Sequence, residues 1–232
     1  MFSIYPLSEQ SVTLEFGQQI SGHIADAIYR FDLLLKENPF RGFITTVTGY
    51  TTLTVFYSAV VVNESDLPGV NVFSKIRTHL ESLKSLPGIT DLREQKIIKI
   101  PVLYGGCYGP DLEEVANHAG MPVDQVINIH SSAIYKIFMI GFVPGFPYLG
   151  GMDERISAPR KSSPRAKIPA GSVGIAGSQT GIYSLETPGG WQIIGRTPLT
   201  LFDHQRVQPS LLQAGESVKF VPITAKEFND FH

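Results

Sequence analysis

Between Gly141 and Thr200 the chain carries 11 Gly and 7 Pro in 60 residues, whereas the other 172 residues share only 20. Proline lacks a backbone donor and glycine is costly inside regular elements, so this stretch excludes long helices and demands turns and close backbone approaches. The short runs around it, Ile134 to Phe142, Ser172 to Ala176, Trp191 to Ile194 and Val218 to Val221, read as strands of an antiparallel barrel or sandwich. Just upstream, Gly109-Pro110 and Met121-Pro122 place prolines at the start of two short helices, Asp111 to His118 and Val123 to Asn128.

The first hundred residues have a different texture. Val12, Leu14 and Phe16 alternate as in a strand. From Gln18 to Lys36, Ile20, Ile24, Ala27, Ile28, Phe31, Leu34 and Leu35 recur at helical spacing, and Asn38-Pro39 ends the run. Phe43 to Thr48 and Leu53 to Tyr57 read as a hairpin, and a second helix spans Val72 to Leu86 before Pro87-Gly88. With a strand from Lys96 to Leu103 the order is β-α-β-β-α-β, a split βαβ layer, although that last strand serves equally well as the opening of the next domain. The boundary is expected near Asp91 to Gln95, giving an α+β domain over 1–92 and a mainly-β barrel domain over 93–232.

A chain that is 43% hydrophobic and 17% charged has ample apolar surface for a core and is not disordered. Its 19 basic and 21 acidic residues give a net charge of −2, so no global field draws in nucleic acid. The longest nearly uncharged apolar stretch, Ile137 to Phe146, is broken by Gly141, Pro144 and Gly145, and Met1 to Gln10 lacks the pattern of a signal peptide. One cysteine, Cys107, makes neither an intrachain disulfide nor a thiolate zinc site. The expectation is a cytoplasmic protein with no membrane or nucleic-acid partner.

Catalytic signatures are sparse. There is no Walker phosphate cradle and no nucleophile elbow, and the six histidines are too scattered to ligate a metal, so no metal site is expected. What remains is polar and aromatic chemistry around the Gly/Pro-rich loops. His130 ends a short helix, where it serves as an acid or base or simply as a satisfied helix-end group. Arg160 and Arg165 sit in repeated Pro-Arg pairs, suited to holding a carboxylate or phosphoryl group or to forming a solvated basic loop. Gln179 and Tyr183 lie in a glycine-bounded turn, and Phe142, Phe146, Tyr148 and Trp191 supply aromatic walls or barrel core.

Four stretches carry a resemblance: Leu103-Tyr104-Gly105-Gly106 with Tyr108-Gly109-Pro110-Asp111-Leu112, GFVPGFPYLGGMD from Gly141, APRKSSPRAKIPAGSVGIAG from Ala158, and QTGIYSLETPGGWQIIGRTPLTLFD from Gln179. They resemble the bacterial family of the 5-oxoprolinase B subunit, which also contains the kinase inhibitor KipI and the allophanate hydrolase subunit 1 domains. The likeness is closest over residues 100–222. It implies a ferredoxin-like domain followed by a cyclophilin-like β-barrel. It also implies a non-autonomous enzyme subunit that, with a homologous C subunit (itself cyclophilin-like) and an A subunit, opens 5-oxoproline to glutamate at the expense of ATP. ATP then belongs to the complex, and its contact with this chain stays open, as does a homodimer. The resemblance makes His130, within residues 100–222, the expected proton shuttle and, inside the matching stretches, Arg160, Arg165, Gln179, Tyr183, Phe142 and Trp191 the expected substrate contacts. The family also implies two alternatives, a protein that binds and inhibits a histidine kinase and a subunit of a related amidohydrolase such as allophanate hydrolase; the clustered Arg, Gln, His and aromatic residues favour the enzyme subunit over the inhibitor. The chain departs from the family pattern at Ser8-Glu9-Gln10, at Thr48 to Leu53 and at Cys107.

Overall fold

The computed structural model describes residues 2–86 and 97–231 and divides into two compact units, Met1–Glu94 and Gln95–His232. The expected boundary at Asp91 to Gln95 and the Pro87-Gly88 stop fall on residues 87–96, outside the described residues.

In the first unit, β1 (Ser3–Ser8) and β2 (Ser11–Glu15) form a hairpin, followed by α1 (Gly22–Glu37), β3 (Phe43–Thr48), β4 (Thr52–Tyr57), α2 (Ala59–Asn63) and α3 (Val72–Leu83). The sheet order is β1-β2-β4-β3 with every neighbour antiparallel, so β2 and β3 run parallel with β4 between them. The helix ends follow from capping chemistry: Ser21 accepts from the Ile24 amide, and Asn71 and Ser74 form a reciprocal capping box. The apolar stripes of both helices bury Ile28, Phe31, Leu35, Ile76 and Leu80 against Val12, Leu14, Leu53 and Val55 of the sheet. Of the two roles open to the strand after the boundary, the structure takes the second: β-structure from Ile97 belongs to the other unit. The split βαβ layer expected that strand beside β2, and the edge there is taken by β1 instead. Ile20 precedes the helix and is exposed.

The second unit opens with β5 (Ile97–Tyr104), α4 (Leu112–Ala119), α5 (Val123–Ser132), β6 (Tyr135–Ile140) and β7 (Pro147–Gly150). After a 3₁₀ turn at Glu154–Ile156 come β8 (Arg165–Ile168), β9 (Ser172–Ala176), β10 (Gln179–Ile182), β11 (Thr187–Gly189), β12 (Gln192–Arg196), β13 (Ser217–Pro222) and α6 (Ala225–Asn229). Seven strands close a barrel in the order β10-β7-β6-β13-β5-β12-β9, while β8 and β11 form a separate two-stranded flap. All barrel neighbours are antiparallel except β13 and β5. Closure leaves no free edge, and inward residues such as Ile100, Val102, Ile137, Val173, Ile175 and Phe220 fill the interior with no exposure. Strands interrupted by glycine and proline therefore form a mixed α+β chain with one closed barrel. Among the described residues no helix is long and apolar enough to cross a membrane.

Candidate functional site

The loop between β6 and β7 carries Phe142 and Phe146, and Phe146 is the hub of an aromatic cluster. Its ring meets Tyr183 at 5.3 Å, Trp191 at 5.5 Å, Tyr148 at 4.9 Å and Phe142 at 5.5 Å, all edge-to-face. Gly181 permits this: a Cβ there would come within 3.1 Å of both the Phe146 and Trp191 rings. Phe146, Tyr183 and Trp191 are buried, whereas Phe142 is 61% exposed and holds φ +67°, a left-handed conformation that costs a non-glycine residue roughly 1–2 kcal/mol.

These rings wall a cavity of about 310 Å³ whose rim is completed by Arg160, Lys161, Pro164 and Gly190. Among the described residues no Asp, Glu or His lines it. Burial pushes the Tyr183 hydroxyl up to about 12, against a hydrogen bond from the Trp191 amide and the Arg160 charge, and raises Tyr148, on which Arg160 also acts in the opposite sense. Both phenols are therefore protonated at neutral pH. Arg160 is exposed and makes no ion pair with the described residues, so its guanidinium fork is available to a ligand.

Lys161 and Arg165, by contrast, are committed. Asp111, with its side chain 3% exposed, receives both terminal nitrogens of Arg165 at 2.7 and 2.6 Å, Lys161 Nζ at 3.0 Å and the Ile193 amide at 2.7 Å. Lys161 also donates to Glu114 at 2.8 Å, and Gln192 donates to Glu114 at 3.1 Å. Burial alone would raise the Asp111 carboxyl, but hydrogen bonds from Arg165, Ile193 and Lys161 outweigh it and hold the group below its usual range.

The structure thus brings together Phe142, Arg160, Tyr183 and Trp191 and leaves three expected site residues elsewhere. Arg165 is spent on Asp111 instead of facing the aromatic cavity. Gln179 opens β10 beside Ala176 and does not line the cavity. His130 is fully buried in the barrel, stacked on Phe220 at 4.4 Å. Its Nε2 lies 2.9 Å from the Thr180 hydroxyl, which itself donates to the Gly174 carbonyl, so Nε2 carries the proton and Nδ1 accepts from Tyr104 at 2.7 Å. Burial lowers its pKa to about 3, which keeps the ring neutral. Sequence reasoning missed Phe146 as the hub, and Lys161, Asp111, Glu114 and Gln192 as a network behind the cavity wall.

Among the described residues no cluster of His, Cys, Asp or Glu is arranged to hold a metal. Comparison with known proteins adds the lineage. The sequence profile of the carboxyltransferase domain, subdomain C and D, matches residues 2–212. The chain is 45% identical over 233 residues to the 5-oxoprolinase B subunit of Bacillus subtilis (strain 168), covering 99% of this chain and 96% of that protein. It is 40% identical over 219 residues to the 5-oxoprolinase B subunit of Haemophilus influenzae, covering 94% and 97%. The crystal structure of TTHA0988 superposes with a TM-score of 0.80 at 31% identity over 93% of this chain, which spans only 41% of that longer one. The chain belongs to the carboxyltransferase subdomain C and D family and, within it, to the family of the 5-oxoprolinase B subunit.

Proposed function

We propose that the chain is the B subunit of an ATP-dependent 5-oxoprolinase, acting with the A and C subunits in the cytoplasm to open 5-oxoproline to glutamate. The observation that carries this reading is the 45% identity to a 5-oxoprolinase B subunit over 99% of the chain. The cavity chemistry agrees with it. 5-Oxoproline is a small flat ring bearing one carboxylate and one lactam amide. The rings of Phe142, Phe146 and Trp191 offer it apolar faces, Arg160 offers the carboxylate a bidentate partner, and the Tyr148 and Tyr183 hydroxyls stand as donors to a carbonyl oxygen.

At the level of the complex ATP supplies the phosphoryl group that turns the resonance-stabilised lactam carbonyl into a better electrophile. The residues lining the aromatic cavity suit the lactam and form no glycine-rich phosphate cradle. Among the described residues no Asp, Glu or His lines the cavity and Lys161 is neutralised by Asp111 and Glu114, so on this reading the chain binds and orients while proton transfer belongs to a partner. Arg165 and His130 then act through structure, the first by fixing Asp111 and the second by wiring the barrel interior. We read 1–92 as a ferredoxin-like domain, supported by parallel β2 and β3 flanking β4, and 93–232 as a cyclophilin-like barrel.

The test is glutamate release from 5-oxoproline and ATP by the chain alone and mixed with the A and C subunits. Activity is expected only in the full mixture. There, Arg160→Ala should leave assembly intact and cut turnover by roughly 10- to 150-fold, the equivalent of about 1.5–3 kcal/mol for a charged hydrogen bond. Turnover equal to wild type would remove Arg160 from the site, and no glutamate from an assembled mixture would remove the substrate.

A further inference from the structure

A second pair of cavities lies on the barrel unit and shares no lining residue with the aromatic pocket. One, of about 360 Å³, is lined by Cys107, Tyr108, Arg165, Lys167 and Arg196. The other, of about 340 Å³, shares Tyr108 and Arg196 and adds the apolar Leu199 and Phe228. Among the described residues neither is lined by Asp or Glu.

The cations are not equivalent. Arg165 is neutralised by buried Asp111, and Lys167 forms an exposed pair with Glu186 at 3.3 Å, which water screens. Arg196 has no acidic partner among the described residues; its Nε donates to the Ala170 carbonyl at 2.8 Å. Its stem lies across Gly171, where φ is +83° and a Cβ would come within 3.4 Å of the Arg196 Cγ. Arg196, which lines both cavities, is thus braced at its neck, and its terminal nitrogens make no ion pair with the described residues. A braced guanidinium loses little freedom on binding and matches two oxygens of a tetrahedral anion, while a lysine supplies a point charge and a phenol a further donor.

We propose that Arg196, Lys167 and Tyr108 form a binding site for a phosphoryl group, either free phosphate or the terminal phosphate of a nucleotide whose organic part occupies the adjoining apolar cavity. The site is independent of the aromatic pocket and does not rest on the function proposed above.

Cys107, the only cysteine and exposed on the cleft, is a built-in reporter. The rate of its alkylation by iodoacetamide is measured on the full chain at constant ionic strength, with inorganic phosphate or ADP titrated against chloride. Phosphate at ten times its dissociation constant should slow alkylation about tenfold, since only the open fraction reacts. Arg196→Gln should abolish the protection, and Lys167→Gln, at an exposed side chain that folding does not need, should weaken it. ADP protecting at lower concentration than phosphate assigns the adjoining cavity to the organic part; equal potency assigns the site to the free anion. Protection by neither, or protection undiminished in both variants, overturns the proposal.

Discussion

Replacing Asp111 by Asn tests whether the network behind the aromatic cavity holds the barrel unit together. The carboxylate accepts four hydrogen bonds, two from Arg165 and one each from Lys161 and the Ile193 amide. An amide of the same shape keeps one acceptor and turns the other end into a donor aimed at donors. Removing one member of a buried ion pair typically costs about 3–5 kcal/mol, because the remaining charge stays desolvated. Here Arg165 and Lys161 keep 31% and 24% of their side-chain surface, so water recovers part of the loss and the low end, about 3 kcal/mol, applies. That corresponds to a fall of roughly 10 °C in Tm for a unit of this size. Trp191, the only tryptophan and two residues from Ile193, reports the transition by fluorescence. The pH dependence has a definite sign. Because the folded carboxyl sits below its unfolded value, its stabilisation is complete above about pH 4 and is lost as the pH falls through the depressed folded value. The advantage of wild type over Asp111→Asn should therefore shrink in acid. A loss below about 1 kcal/mol at pH 7 would refute the assignment of the network as structural.

His130 sets a second acid limit. The unfolded chain takes up its proton near 6.5 and the folded one only near 3, so stability falls by about 1.4 kcal/mol for each pH unit between those values, a slope that His130→Gln should flatten. An NMR titration placing this imidazole near 6.5 in the folded protein would sink the idea. Phe142→Gly should leave stability to urea within about 1 kcal/mol, since the relieved left-handed strain offsets the entropy glycine adds to the unfolded chain and the ring is mostly exposed. The same change should weaken 5-oxoproline binding in the assembled complex; unchanged affinity would mean that the ring is not a wall of the site.

Local pattern carried much of the secondary structure. Phe43–Thr48 and Ser172–Ala176 begin and end where their β-rich composition says they should, and α1 and α3 follow their apolar stripes. Two elements escaped because their own composition points away from what they form. The segment Ser3–Ser8 contains Pro6 and is largely exposed, so nothing in its own pattern marks it as the strand that completes the first sheet. Ala59–Asn63, a valine-rich segment to which the sequence reading assigned no element, forms a helical turn capped by Ser58. In the site, the aromatic and arginine content of the proline-rich loops pointed to Phe142, Arg160, Tyr183 and Trp191. The fates of Arg165 and His130 were set by Asp111, Tyr104 and Thr180, partners that only barrel closure brings alongside.

The parallel pairing of β13 with β5 also governs when the barrel can exist. Ile97 lies beside Ser217 and Val102 beside Pro222, so the first strand of the unit is seated by the last. During synthesis the chain from β5 to β12 emerges before its seam strand, and until β13 arrives β5 and β6 each lack the neighbour that shields their edges. Loss of the final strand would thus remove the closure of the whole unit, while the pairings of the first sheet lie entirely within residues made earlier.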